Sequence, residues 1–354
     1  MSIDQGDIDD GAHGGASQLL ARAAASLGRA DRGLAAAIDD FFVSDDDRLD
    51  DRTRATLAAA LLGVVAATED DLRREAARLL KVAGDEVSAN RVNEGGSVFD
   101  QLADAGVLRD PRLMRELIGR TRQDVLADGL STMAPDEGGG SSLLARLSAS
   151  ADTQVASAAL DLMAMAARRR EFLDTGRLGQ SELPAELHHL LVWPVAAAIS
   201  ERAGTAANRA LGDAALRALS THDEADCLEG AAMRLAAAID PQPSELPVLL
   251  THALGDRNVA FFAALLARAL RIDFATARDL VVGGNDPLWL ALRAIDLDRA
   301  TIARIALALS KDVESFADQL DEIMTVTADE ARAALAPLSL HPDFRAAIQA
   351  LGSR

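Results

Sequence analysis

Helix-capping residues followed by apolar residues at helical spacing recur along the whole chain. Asp31 precedes an apolar stripe that runs from Leu34 to Phe42 with i, i+4, i+7 and i+8 spacing. Asp110 is followed by Pro111, which places a capping residue directly ahead of a proline at the first helical position. Asp152 introduces another long apolar run, and no segment alternates between apolar and polar residues with a period of two. This pattern predicts a chain built from helices, without a substantial β-sheet.

The side-chain composition favours helices that pack at short distances. Hydrophobic residues make up 49% of the 354-residue chain, aromatic residues make up only 3%, and tyrosine is absent. Alanine dominates the apolar share and has the highest helix propensity, whereas sheets favour β-branched and aromatic side chains. Short helices gain stability by burying one face on a neighbour, so we expect stacked antiparallel helix pairs in a HEAT-like α-solenoid. An irregular multi-helix bundle is the alternative arrangement.

Capping boxes and short repeats mark further helix starts. Thr68–Asp71 resembles a capping box with aspartate in place of glutamate, and Thr327–Glu330 is a second one. The sequence Ser-Glu-Leu-Pro occurs at 181–184 and at 244–247, each time ahead of an apolar-rich segment. Asp273–Thr276 is echoed by Asp298–Thr301, 298 − 273 = 25 positions later. These echoes favour a helical repeat, although four-residue matches also arise by chance in an alanine-rich chain.

Two stretches lack helical patterning and divide the chain. Residues 1–16 are rich in aspartate and glycine and predict a disordered acidic tail. Residues 134–142 read Ala-Pro-Asp-Glu-Gly-Gly-Gly-Ser-Ser, which is typical of a flexible linker. We therefore expect an N-terminal helical domain at 17–133 and a C-terminal helical domain at 143–354.

The net charge limits the classes of molecule that the chain is expected to bind. The formal charge is −19 and the isoelectric point is about 4.7, so the field repels phosphate backbones and anionic lipid headgroups. We expect a protein partner with a basic face, and neither a nucleic acid nor a membrane. Arg168–Arg170 could form a local basic spot, but the favoured interpretation is a solvated helix end, where cations suit the helix dipole. With no signal-peptide pattern and a single cysteine, Cys227, the sequence predicts a cytoplasmic location.

Few residues have a pattern that suggests chemistry. His188 and His189 are adjacent, so on a helix they point about 100° apart and do not chelate one ion; we expect one to be buried and the other exposed. The acidic run Asp45–Asp51 lacks the glycine and glutamate positions of a calcium loop and is better explained by helix capping. Cys227 follows His222 by five positions, which favours a structural thiol over a nucleophile. We expect no catalytic residues, no metal and no cofactor.

The two tryptophans are the candidate partner-binding residues. Tryptophan is enriched at the energetic centres of protein interfaces, so Trp193 and Trp289 are candidate anchors if they are exposed. Trp193 precedes Pro194, which would kink a helix and open a groove beside it. Core packing is the favoured role for both side chains.

Three segments resemble one protein family. The stretch at 181–199, the acidic segment at 45–54 and the apolar segment at 260–268 are similar to an alphaproteobacterial family of unknown function, number 2336. The similarity spans roughly residues 30 to 310. The resemblance implies an all-helical, HEAT-like cytoplasmic bacterial protein and carries over no catalytic residues.

The sequence favours a binding function. We expect a non-enzymatic scaffold or regulatory adaptor that recognises a protein partner along its stacked helices. The alternative is a small-molecule sensor with a ligand cavity between helices. An enzyme would need a polar pocket that surrounds ionisable groups with perturbed pKa values.

Overall fold

The computed structural model describes residues 18–19, 21–23, 49–130, 142–175, 182–283, 286–309 and 316–352. Within these ranges all regular structure is helical and there is no strand, so the all-α prediction is confirmed. The α-helices are α1 Asp51–Val82, α2 Glu86–Glu94, α3 Phe99–Asp104, α4 Pro111–Gly129, α5 Leu143–Ser148, α6 Thr153–Thr175, α7 Ala185–Ala203, α8 Asn208–Thr221, α9 Leu228–Ile239, α10 Leu246–Gly255, α11 Val259–Leu270, α12 Phe274–Gly283, α13 Asp286–Ala294, α14 Arg299–Leu309, α15 Phe316–Thr325, α16 Ala328–Leu335 and α17 Pro342–Gly352. Short 3-10 turns cover Val107–Arg109, Thr205–Ala207 and Ala336–Ser339.

Aspartate caps explain where many of these helices begin. At α1, one carboxylate oxygen of Asp50 accepts the Thr53 backbone N–H at 2.9 Å, and the other accepts the Thr53 hydroxyl at 2.6 Å. Asp273–Thr276 makes the same pair of bonds at α12, and Asp298–Thr301 makes it at α14. The echo seen in the sequence is therefore one local structure used twice. Each cap satisfies a backbone donor that the first helical turn leaves free.

Several predicted boundaries are confirmed, and one is wrong. Asp110 and Asp152 accept the first backbone N–H groups of α4 and α6, and Thr327 forms the predicted capping box at α16. Thr68 does not start a helix, because α1 runs through it for 32 residues. The Thr68 hydroxyl instead donates to the Val64 carbonyl one turn earlier, at 2.9 Å. Residues 18–19 and 21–23, which follow the predicted cap Ser17, are helical. Ser17 itself, the start predicted after Asp31 and the acids at 45–47 lie outside the described residues.

The chain forms two compact units, each assembled from separate stretches. Unit A contains 37–121 and 161–231, and unit B contains 1–36, 122–160 and 232–354. This division differs from the expected domains at 17–133 and 143–354. The expected tail at 1–16 and residues 134–141 of the expected linker lie outside the described residues, whereas Ser142 caps α5.

A buried ion pair on α1 organises the core of unit A. Arg73 pairs with Glu69 one turn away and donates to the Gly96 carbonyl at 3.0 Å, while Glu69 accepts the Val98 backbone N–H at 3.2 Å. The loop passes so close that a Cβ added at Gly95 would lie 2.5 Å from a guanidinium nitrogen of Arg73. A side chain at position 95 would therefore force the buried guanidinium of Arg73 to shift. The charges are tolerated in the interior because each is paired and hydrogen-bonded.

The core of unit B is centred on α11. Every residue from Val259 to Ala267 is buried, which confirms that this helix is enclosed by its neighbours. Helices α10, α12 and α13 contact it. Asn258 caps it by accepting the Phe261 backbone N–H at 3.0 Å. A helix that is apolar on all sides is stable only with such complete cover.

Candidate functional site

A half-open groove of about 950 Å³ lies within unit B, where several helices end. Its apolar floor combines the half-buried Leu270, Ile272 and Ile295 with the buried leucines beneath them, Leu246, Leu265, Leu335 and Leu338. The remaining lining comes from the residues after α9, from the ends of α11 and α13, and from the turn at 336–339. Only the fold brings these positions together, because they span a hundred residues of sequence. We call this surface the end groove.

Three helix ends shape the rim of the end groove through left-handed backbone conformations. Asp240, Arg271 and Asp296 have φ values of 45°, 56° and 59° and line the groove. They are three of the four non-glycine residues with positive φ in the described part of the chain. The N–H groups of Ile272 and Leu297 return to carbonyls in the preceding helix, so these turns are closed by hydrogen bonds. Such conformations are uncommon for side chains other than glycine and concentrate at functional surfaces.

Arginines fix the walls of the end groove. Arg268 on α11 pairs with Asp240 at the end of α9. Arg332 on α16 donates to the Ala294 carbonyl at 2.9 Å, which caps the carboxyl end of α13. Arg271 is exposed, and its side chain makes no hydrogen bond or ion pair with another described residue. The walls are therefore preorganised, and one cation on the rim is available to a ligand.

This arrangement is suited to recognition. The half-buried Leu270, Ile272 and Ile295 offer apolar surface that water covers in the free protein, and the rim offers charges of both signs. A preformed groove costs little conformational entropy when a ligand enters it. The groove lining contains arginine and aspartate but neither histidine nor cysteine.

The structure separates the two candidate tryptophans. Trp193 on α7 is 38% exposed, and α7 continues through Pro194. Trp289 on α13 is only 2% exposed, and its ring centroid lies 4.8 Å from that of Phe316. Trp289 is therefore a core residue in this structure and does not present a surface to a partner. Trp193 keeps the exposure that an anchor needs, and neither tryptophan lines the end groove.

The histidine pair divides as the helical geometry predicts. His188 is buried at 1% exposure, whereas His189 is exposed. His188 stacks on His222 with ring centroids 4.1 Å apart, and neither nitrogen of His188 has a hydrogen-bond partner. Burial, together with the neighbouring His222, lowers the pKa of His188 from 6.5 to about 4. His222 donates from Nε2 to the Leu183 carbonyl at 2.8 Å.

Cys227 has the environment of a structural thiol. Its sulfur lies 3.2 Å from the Glu224 carbonyl and 3.3 Å from the Gly230 backbone nitrogen. Burial, with a further contribution from Glu229, raises the pKa of the thiol to about 11. A thiol with a raised pKa carries little thiolate at neutral pH and is a poor nucleophile.

A cluster of buried charges, which the sequence patterns did not reveal, lies beside Cys227 in unit A. Arg120 contacts Glu116 at 2.5 Å and Glu229 at 3.5 Å. Burial opposes the charge on Arg120, but Glu229 and Glu116 outweigh it and raise its pKa above the ordinary value. Arg169 pairs with Glu182 at 2.5 Å, and burial raises the pKa of Glu182 despite that pairing. Paired ions of this kind connect helices in the interior.

The described part of the chain holds neither a metal-ligand cluster nor a membrane-spanning helix. No group of three or more histidine, cysteine, aspartate or glutamate residues there could hold a metal ion. None of the helices formed by those residues is both long and apolar enough to cross a membrane.

The end groove could not be predicted from the sequence, for a physical reason. Its rim depends on left-handed conformations at Asp240, Arg271 and Asp296, where no glycine signals a turn. One signal was present. In Arg271-Ile272-Asp273 and in Asp296-Leu297-Asp298, an apolar residue separates the turn from the next cap, which is typical of a Schellman ending.

Comparisons with known proteins return no relative. No family model matches the chain, and neither a curated protein nor a solved structure matches it. The resemblance to family number 2336 therefore stays an expectation from the sequence.

Proposed function

We propose that the protein is a non-enzymatic adaptor that binds a segment of a partner protein in the end groove. One observation carries this proposal: a groove of about 950 Å³ combines an apolar floor, part of it accessible at Leu270, Ile272 and Ile295, with a rim of arginines and aspartates. Grooves of this composition accept apolar anchor residues on their floor and orient them through polar contacts at the rim.

The surroundings of the ionisable groups favour binding over catalysis. The thiol of Cys227 has a raised pKa, and His188 is buried away from solvent. Arg120 and Arg169 are already paired with carboxylates in the interior. These groups stabilise the helices and do not line the end groove.

The charge distribution supports a partner with a basic face. A net charge of −19 attracts such a partner at long range and accelerates its association at low salt. The rim charges, which are of both signs, then orient the bound segment at short range. The proposal includes a cytoplasmic bacterial protein with HEAT-like helix pairs, which the shared Asp-x-x-Thr caps of α12 and α14 support.

Site-specific photocrosslinking in the native host tests the proposal. A crosslinking amino acid replaces Ser339, an exposed groove residue, and a control crosslinker replaces Leu216, which is 57% exposed in unit A. We expect a discrete protein adduct from position 339 that disappears when Ala336→Trp fills the groove. Identical adducts from both positions, or no adduct from position 339, would contradict a groove-bound partner.

A small-molecule sensor is the second candidate, because the groove volume falls within the range of ligand sites. A thermal-shift screen of metabolites distinguishes the two functions. A sensor should show one ligand class that raises the melting temperature of the wild type but not of Ala336→Trp.

A further inference from the structure

The last helix leaves an apolar stripe without cover. On α17, Phe344 is 57% exposed, Ile348 is 47% exposed and Leu351 is 72% exposed. Their i, i+4, i+7 spacing places the three side chains on one helix face. Leu340, just before the helix, is 39% exposed. We call Phe344, Ile348 and Leu351 the α17 stripe.

Helix α17 has little support from its own chain. Arg345 is its least exposed described side chain, and it donates to the Thr276 hydroxyl at 2.7 Å and to the Leu338 carbonyl at 3.3 Å. A helix of 11 residues is marginal in water unless it buries an apolar face. The anchor at Arg345 holds α17 on unit B while its apolar face stays in water. A partner that covered this face would remove its apolar side chains from water.

The end groove offers the matching surface. The turn at 336–339 lines the groove, and α17 begins only three residues later at Pro342. Helices that bind in grooves use anchors at the spacing of the α17 stripe. Charge also matches, because Asp343 beside the stripe is almost fully exposed and Arg271 on the groove rim makes no ion pair with another described residue.

We propose that the end groove binds α17 of a second copy of this chain. The α17 stripe of one copy covers the apolar floor of the other, and Asp343 of the inserted helix approaches Arg271 on the rim. This inference rests on the proposed function in one respect, since both treat the end groove as a protein-binding surface. An external partner then competes with α17 for the groove.

The adjacency of the two surfaces predicts a closed dimer. When a donor surface and an acceptor surface lie side by side, one two-fold axis lets each copy insert its helix into the other. Both stripes and both grooves are then occupied, and no open filament forms.

The net charge gives this dimer a distinctive salt dependence. Each copy carries −19, so two copies repel one another at long range while the apolar contact attracts them. Salt screens the repulsion and leaves the apolar contact in place. Dimerisation should therefore tighten as salt rises, whereas association with a basic partner should weaken.

Analytical ultracentrifugation of the purified full-length chain tests the dimer at low and at high salt. We expect a reversible dimer whose dissociation constant falls with salt and rises about tenfold or more in Phe344→Asp or Ile348→Asp. Leu216→Asp places the same charge on an exposed leucine of unit A and should dimerise like the wild type. The replaced side chains are exposed, so circular dichroism should show an unchanged fold. A wild type that stays monomeric at up to about 0.5 mM at both salts would overturn the proposal.

Mixing two variants tests the exchange itself. Ala336→Trp blocks the groove but keeps the stripe, whereas Ile348→Asp keeps the groove but disables the stripe. Each should be mainly monomeric alone, and their mixture should recover a heterodimer with one intact contact of the two. A mixture that stays monomeric while the wild type dimerises would show that the dimer uses another surface and would reject the exchange.

The two proposals fail in different ways. If the wild type is monomeric but Ala336→Trp abolishes the photocrosslinked adduct, the second-copy proposal is wrong and the partner-binding function stands. If the dimer forms as described but position 339 crosslinks only to another copy, the proposed external partner is wrong and the dimer stands.

Discussion

Replacing His188 should remove a specific part of the acid sensitivity of the fold. Burial and the stacked His222 lower the pKa of His188 to about 4; His189 adds a smaller lowering, while the Ala218 backbone and Asp71 oppose it. The unfolded chain titrates near the ordinary value of 6.5, so it binds a proton where the folded chain does not. The stability that neutral His188 contributes is therefore fully present above about pH 6.5 and is lost as the pH falls toward 4. Between about pH 7 and about pH 5, the loss amounts to about 2 kcal/mol.

Urea denaturation at a series of pH values measures this loss. His188→Phe keeps a ring against His222 but cannot titrate, so its free energy of unfolding should fall by about 2 kcal/mol less than that of the wild type over this interval. The larger phenylalanine ring changes the free energy of unfolding by the same amount at every pH, so it does not affect the comparison of the two pH dependences. His189→Phe replaces the exposed neighbour and should follow the wild type. Equal slopes for His188→Phe and the wild type would refute the reasoning.

Three further outcomes follow from the structure. Gly95→Ala should lose about 3 kcal/mol in urea denaturation because its Cβ would displace a buried guanidinium, whereas at Gly96 the nearest atom is 3.9 Å away and alanine should cost less than about 1 kcal/mol. Cys227 should resist a thiol-specific reagent at about pH 8 in the folded protein and react at once in urea; rapid labelling without urea would contradict its burial. Acrylamide should quench the fluorescence of Trp193 but not that of Trp289, and equal quenching of the single-tryptophan variants would be incompatible with this core.

The helices could be predicted because their signals are local. Asp110, Asp152 and Thr327 each cap the helix that the sequence placed after them. The wrong helix start at Thr68 also has a local cause. A threonine inside a helix donates its hydroxyl to a carbonyl of the preceding turn, and only its sequence resembles a cap. The burial of His188 beside an exposed His189 followed from the angle between neighbouring helical residues.

The candidate site could not be predicted because its determinants are non-local. Leu246 and Leu338 share one groove floor although 92 positions separate them (338 − 246). The left-handed turn at Arg271 has no glycine to reveal it. The burial of Trp289 is equally non-local. Tryptophan is a residue type enriched at interfaces, but this side chain is 2% exposed and packs beside Phe316. Burial depends on which helices meet, and a helical pattern alone does not specify that.

Around the end groove, the side chains that stabilise the fold are different from those that would contact a ligand. The helices that frame it are stabilised by buried stripes such as Val259–Ala267, whereas its rim residues Arg271 and Asp296 are exposed at the turns after those helices. Substitutions on the rim therefore leave the interior unchanged. A lineage could change the sign and spacing of these rim charges one residue at a time, and so acquire new binding preferences, without passing through an unstable intermediate.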